Sequence, residues 1–277
     1  MRHVILLAAL AITSGCVAYN DQCQPLVENP NERVAFIGKG TELFLDRANA
    51  RHANNAVGQQ AADAFAWVFA ETDKPVDFAV VNGGSIRAEG LCITRNIVRD
   101  GPLSNGVLHE IMLFENPVQA IDLSEQEVIA MFEHSVERLF TTPAPIVSPA
   151  GSFLQVSKEV RLTIDCARAP LDRITSLSIG SRTLTKPGAA FSPATRLRLA
   201  TSSFIVSGGD GYTMLAGKAA DSARNVANAQ RAGGIDSNIA AAYLKQSAFN
   251  MTVETGFKVE PSRVVLMNCS VPTRPSN

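Results

Sequence analysis

The sequence predicts a mixed α+β protein, and three observations carry that expectation. Apolar residues recur at helical spacing in two stretches, 55–69 and 124–139. Apolar and polar residues alternate at 160–165, and a Gly180-Ser181 turn divides 174–184 as in a hairpin. The helical and strand patterns are interleaved irregularly along the chain.

In chain order, Arg2 and His3 precede an apolar run from Val4 to Ile12 that closes with Thr13-Ser14-Gly15-Cys16. This is an export-signal pattern, too short to span a bilayer as a helix. The small residues before Cys16 resemble the cleavage box of bacterial lipoproteins, which predicts a lipidated Cys16 and membrane contact through that anchor alone. Thr13 stands where the box usually has Leu, so ordinary cleavage into the periplasm is the alternative. Residues 17–31, polar and containing Pro25 and Pro30, read as a tether; the folded body is expected over 32–268 and a tail over 269–277.

Val57, Ala61, Ala64, Phe65 and Val68 form one helical stripe, with Asn54 or Asn55 available as the cap. Val76 to Val81 is an apolar run ending in Asn82-Gly83-Gly84, a buried strand feeding a turn that needs glycine. Ser124 and Glu127 make a capping box ahead of Val128, Met131, Phe132 and Val136, predicting a helix to about Leu139. Thr142 to Pro149 is a Pro-rich surface connection. Leu197 and Leu199 alternate as in a strand, a helix follows Asp236 using Ile239, Tyr243 and Leu244, and a last strand covers Val264 to Met267.

Lys and Arg number 25 against 26 Asp and Glu, with no run of one sign, which argues against a nucleic-acid polymer and for a small ligand. Besides Cys16 there are Cys23, Cys92, Cys166 and Cys269, an even number suited to an oxidising compartment. Three pairings exist; Cys23 with Cys269 is the choice that nearby chain termini favour, and buried free thiols are the alternative. Without a CxxC pair or a Cys/His ladder, no metal site is expected.

Four segments, in order, resemble the C-terminal domain of 5′-nucleotidases, the family of bacterial UDP-sugar hydrolase/5′-nucleotidase and animal ecto-5′-nucleotidase. They are Asn55-Ala56-Val57-Gly58-Gln59-Gln60-Ala61-Ala62-Asp63-Ala64; Val81-Asn82-Gly83-Gly84-Ser85-Ile86-Arg87; Met131-Phe132-Glu133-His134-Ser135-Val136 followed by Ser152-Phe153-Leu154-Gln155-Val156; and Ser203-Phe204-Ile205-Val206-Ser207-Gly208-Gly209-Asp210-Gly211-Tyr212. Glycine-rich turns are common singly, but four segments in family order are specific. The resemblance spans about Glu32 to Met267 and implies a four-layer α/β/β/α arrangement.

It also implies a substrate-binding set of Arg51, Asn82, Gly84, Arg87, Phe114, Phe204, Gly209 and Asp210, with Arg47 as an alternative to Arg51. Phe114 and Phe204 match the family's two clamp positions, and an aromatic clamp contributes roughly 1–3 kcal/mol per stacked base. Leu113 replaces the family's Pro before Phe114. The chain has 13 phenylalanines, so without the resemblance either ring could equally belong to the core. A carboxylate on a tight glycine turn, as at Asp210, can accept hydrogen bonds from two ribose hydroxyls; the Asn82 amide suits a base edge and the Arg87 guanidinium suits phosphate or ribose oxygens. Taken alone these three would read as turn residues and a surface charge. No Lys-Ser or Lys-Thr follows Gly208-Gly209, which excludes a P-loop. His109 and His134 read as structural or exposed histidines.

No catalytic residue is expected. Hydrolysis in this family belongs to a two-metal N-terminal domain, and its Asp-x-His and Gly-Asn-His hallmarks occur nowhere among these residues. Nor is there a nucleophile elbow. The expectation is a nucleotide- or nucleoside-binding domain in the cell envelope, acting in nucleotide catabolism or salvage, with no cofactor of its own. One alternative is the substrate-binding part of a split 5′-nucleotidase whose divalent metals sit on a separate metallophosphoesterase. Another is a structural envelope lipoprotein that has lost its ligand.

Overall fold

The computed structural model describes residues 27–44, 49–87, 97–141, 150–185, 195–227, 232–248 and 250–270. The export signal, Cys16, Cys23, most of the tether, Arg47, Cys92 and the Pro-rich connection lie outside these residues. Among the described residues no helix is long and apolar enough to cross a membrane.

Two sheets organise the domain. The larger has five strands in the spatial order Ala220–Ser222, Val118–Ser124, Arg196–Ser202, Phe78–Asn82 and Leu154–Val156, with the third and fourth parallel to each other and the other neighbours antiparallel. The smaller runs Arg182–Thr185, Ile174–Ile179, Val160–Asp165 and Val264–Met267, its last pair parallel. The helices are α1 (Ala56–Val68), α2 (Asn105–Ile111), α3 (Glu125–Val136), α4 (Ser203–Val206) and α5 (Asp236–Ala248).

The period of two along Phe78–Asn82 divides the interior. Ala79 and Val81 face a core shared with α1, α2 and α5, while Phe78 and Val80 face a second core built with α3 and the smaller sheet. The α1 stripe Val57, Ala61, Ala64, Phe65 and Val68 is fully buried in the first core. Val128, Met131, Phe132 and Val136 of α3 are buried in the second, beside Val160, Leu162, Ile164 and Leu177. Sealing a Phe or Leu side chain in this way contributes about 1.5–3 kcal/mol.

Helix starts are set by side chains that satisfy the first free N–H groups. Asn55 accepts from Val57 N and Gly58 N at the head of α1, and Ser124 with Glu127 forms the full capping box of α3. This last helix ends at Val136, short of Leu139, because the following carbonyls turn towards Arg173. The Arg173 Nη1 donates to Val136, Glu137 and Leu139 oxygens at 2.7, 2.9 and 2.6 Å, while Glu133 accepts from Arg173 N and Ile174 N.

The disulfide expectation needs correction. Cys269 bonds to Cys166, not to Cys23. Parallel pairing places Met267 opposite Asp165, so both chains run on in the same direction and bring the two cysteines together. Cys269–Ser270, read from the sequence as the start of a tail, also pairs antiparallel with Phe140–Thr141 and belongs to the folded body.

Candidate nucleotide-binding cavity

A cavity of about 360 Å³ is lined by Arg51, Asn82, Gly84, Ser85, Arg87, Phe114, Asn116, Gly151, Phe204 and Asp210. Seven of the eight residues singled out from the sequence therefore share one wall, although they come from four separate stretches of chain. The eighth, Gly209, supports it from behind: a Cβ there would fall 2.5 Å from the Phe204 ring, so only glycine leaves that ring its place.

Each wall has an identifiable support. Arg51 ends the short 3-10 turn Asn49–Arg51, and the buried Gln155 amide fastens that stretch by donating to Ala50 O at 2.9 Å and Ala53 O at 2.7 Å. Asn82 closes a central strand; its Nδ2 donates to Asp210 Oδ2 at 2.7 Å and its Oδ1 accepts from Ser85 Oγ at 2.6 Å. The amide is thus oriented, with its donor towards the carboxylate. Gly83 lets this turn pass against residue 50, since a Cβ would meet Ala50 O at 2.0 Å.

Phe114 and Phe204 are 43% and 40% exposed, which removes the reading of both as core residues. Large rings left open in a concave wall suit a flat ligand. The Arg87 guanidinium stacks over Phe114 at 4.9 Å, adding a cation to the rim. The two aromatic segments are joined by Pro117, whose carbonyl accepts from Ser203 N at 2.7 Å at the head of α4. Glu115, between Phe114 and Asn116, is left-handed with φ 52°.

Sequence reasoning missed Ser85, Asn116 and Gly151, all within or beside quoted motifs but with no signal of their own for lining a site. Asn116 is held from the α5 terminus. Asp236 is 2% exposed; its N–H donates to Asn116 O at 3.0 Å, and its carboxylate accepts from Ser237 N at 2.7 Å and Asn116 Nδ2 at 3.5 Å. Burial pushes this carboxyl up to about 6, with hydrogen bonds from Ser237 and Asn116 opposing the shift. A raised folded-state value means the unfolded chain releases its proton first. The stabilising contribution is therefore full below 3.8 and is lost as pH rises through about 6. Unfolding midpoints measured from pH 4 to 8 are expected to fall over that window, and Asp236→Asn is expected to flatten this component of the slope; an unchanged slope contradicts the assignment.

A second, larger cavity of about 550 Å³ surrounds Arg198, Asp73, Lys74 and Asp221. Its arginine is already engaged by Asp122 at 3.0 Å, by Asp221 and by Lys74 O at 3.2 Å, and its aromatic residue Phe69 is 2% exposed. Among its described residues it offers no open ring. The aromatic cavity is the better ligand site.

Comparison with known proteins agrees with the residue patterns. The family described as "5'-nucleotidase, C-terminal domain" matches residues 36–217. An apyrase of Tabanus yao is 30% identical over 194 residues, 68% of this chain and 32% of that protein; an apyrase of Anopheles gambiae is 27% identical over 63% of this chain and 27% of that protein. The chain thus spans about a third of the length of these relatives. Among solved structures, a 5′-nucleotidase precursor from Thermus thermophilus superposes with a TM-score of 0.62 at 24% identity, covering 84% of this chain and 39% of that one. Haemophilus influenzae NAD nucleotidase superposes at 0.55 with 16% identity, over 86% and 38%. With the mixed two-sheet fold and the four ordered motifs, this match over most of the folded body means that the chain belongs to the 5′-nucleotidase C-terminal domain family.

Proposed function

We propose that this domain binds a nucleoside or nucleotide in the aromatic cavity and serves nucleotide catabolism or salvage in the cell envelope. The base lies between Phe114 and Phe204, the ribose hydroxyls meet Asp210, and Arg51 and Arg87 supply positive charge towards phosphate or ribose oxygens. One observation carries the reading: seven residues from distant parts of the chain converge on a single concave wall with two half-open phenyl rings. Two guanidinium groups against one carboxylate in that wall favour an anionic ligand. Export is supported by the signal pattern before Cys16 and by the Cys166–Cys269 disulfide, which suits an oxidising compartment.

A second reading has its own support. The relatives named apyrase and 5′-nucleotidase carry this segment as about a third of a longer protein. The domain then acts as the substrate-binding part of a phosphoester hydrolase, with divalent metals held by a separate metallophosphoesterase chain. The structural-lipoprotein reading is the weaker one, because Asn82, Phe204 and Asp210 all remain in the cavity.

Titration calorimetry of the purified protein with adenosine, AMP and UDP-glucose, alongside a phosphate-release assay with and without divalent metal, separates these readings. Saturable binding without turnover is expected; the addition of a metallophosphoesterase partner restores turnover under the second reading. Phe204→Ala is expected to weaken binding by about 1–3 kcal/mol while leaving the unfolding midpoint near that of the unaltered protein, since the ring is exposed. Unchanged affinity in Phe204→Ala and in Asp210→Ala would remove the assigned site.

A further inference from the structure

Asp210 reaches the cavity with a backbone that L residues adopt at a cost. Its φ is 51° and ψ 21°, and it lies between Gly208 at φ 93° and Gly211 at φ 89°. A left-handed non-glycine residue persists only where its surroundings over-determine it. Asn82 Nδ2 fixes the carboxylate from one side at 2.7 Å. From the other side, His134 Nε2 lies 2.9 Å from the Asp210 main-chain oxygen. A carbonyl only accepts, so Nε2 carries the proton.

The imidazole is itself held rigidly. It stands edge-on to the Tyr212 ring with centroids 4.8 Å apart, and Nδ1 faces Glu137 Oε2 at 3.5 Å. Tyr212 is completely buried and donates its hydroxyl to Ser152 O; burial pushes this phenol well above its ordinary value, so it remains a neutral donor. Gly211 passes so close that a Cβ would sit 2.8 Å from the imidazole. The loop has been brought against His134 by a glycine that leaves no room for a side chain.

We propose that His134 is a positioning residue for ribose recognition. Its Nε2–H holds Asp210 in the left-handed conformation that directs the carboxylate to Asn82 and the cavity. The site thereby favours a ligand with a vicinal hydroxyl pair over a free base. This rests on the nucleotide-binding reading above. In this assignment the imidazole touches no ligand, so its influence is confined to the part of the ligand that Asp210 contacts.

The test compares adenosine with adenine by calorimetry on the full chain and on His134→Ala, His134→Phe, His134→Gln and Asp210→Ala. His134→Phe keeps an aromatic ring beside Tyr212 and removes both ring nitrogens, the donor to Asp210 and the Nδ1 that faces Glu137; His134→Gln restores an N–H at similar reach. Loss of one such hydrogen bond is expected to weaken adenosine binding about tenfold in the Ala and Phe variants, with adenine unaffected and the Gln variant close to the unaltered chain. Adenosine binding lost in Asp210→Ala but retained in His134→Phe would overturn the inference alone. Equal loss of adenine and adenosine in a folded His134→Phe would also overturn it, in favour of a purely structural role. If the unaltered chain binds neither ligand, the inference and the nucleotide reading fail together.

Discussion

Replacing Asp63 or Arg263 by alanine is expected to cost about 3–5 kcal/mol of folding stability, because either change removes one partner of a buried, doubly hydrogen-bonded ion pair. The two side chains are 4% and 5% exposed and meet through paired contacts of 2.8 Å, Nη1 to Oδ1 and Nη2 to Oδ2. The remaining polar atoms are also served. Arg263 reaches Glu260 Oε2 at 2.9 Å and Val156 O at 3.1 Å, and Lys158 N donates to Asp63 at 2.7 Å. The pair ties the middle of α1 to the approach of the Val264–Met267 strand, 200 residues later. Burial still pushes the Asp63 carboxyl above its usual value, and the arginine offsets that only in part. Replacing both charges together removes the desolvation cost along with the attraction. Asp63→Leu combined with Arg263→Met is expected to cost much less than the sum of the single changes. Denaturant unfolding of the three variants measures this; single variants within 1 kcal/mol of the unaltered protein contradict it.

Breaking the Cys166–Cys269 disulfide is expected to cost about 2–4 kcal/mol. The two cysteines are 103 residues apart, so the closed loop is long and the unfolded chain is strongly restricted by the bond. Its contribution is also local. The bond anchors the short Cys269–Ser270 strand against Phe140–Thr141 and the smaller sheet beyond its parallel edge pair. Cys166 is 1% exposed and Cys269 is half-buried, so a reducing thiolate meets the bond at the Cys269 sulfur. A Cys166→Ala/Cys269→Ala variant should unfold at lower denaturant than the oxidised protein and be indifferent to reductant. Equal midpoints for the two proteins would show that the cross-link contributes nothing.

Much of this was legible in the residues. The α1 and α3 stripes, the Ser124–Glu127 capping box and the Val160–Asp165 alternation depend on local periodicity and capping, and they stand where that physics places them. The strand Val118–Ser124 was not read, although it pairs along its whole length with Arg196–Ser202; its centre is apolar on both faces and lacks clean alternation. The helix Asn105–Ile111 is a seven-residue element whose stability comes from packing against α5 and α1's core, which no short pattern announces. The disulfide partner was misread because pairing depends on strand register, and proximity of termini is a poor substitute for it. In the cavity, Asn82, Phe204 and Asp210 were visible through the motif resemblance. Gly151 and the supporting amide of Gln155 were not, since their roles exist only once residues 50, 83 and 210 have been brought together.

The most direct measurement is a crystal structure of the protein with adenosine bound. The account predicts the adenine ring between Phe114 and Phe204, and the ribose hydroxyls within hydrogen-bond distance of the Asp210 carboxylate. Adenosine bound around Arg198, or in the aromatic cavity with its ribose turned away from Asp210, would contradict it.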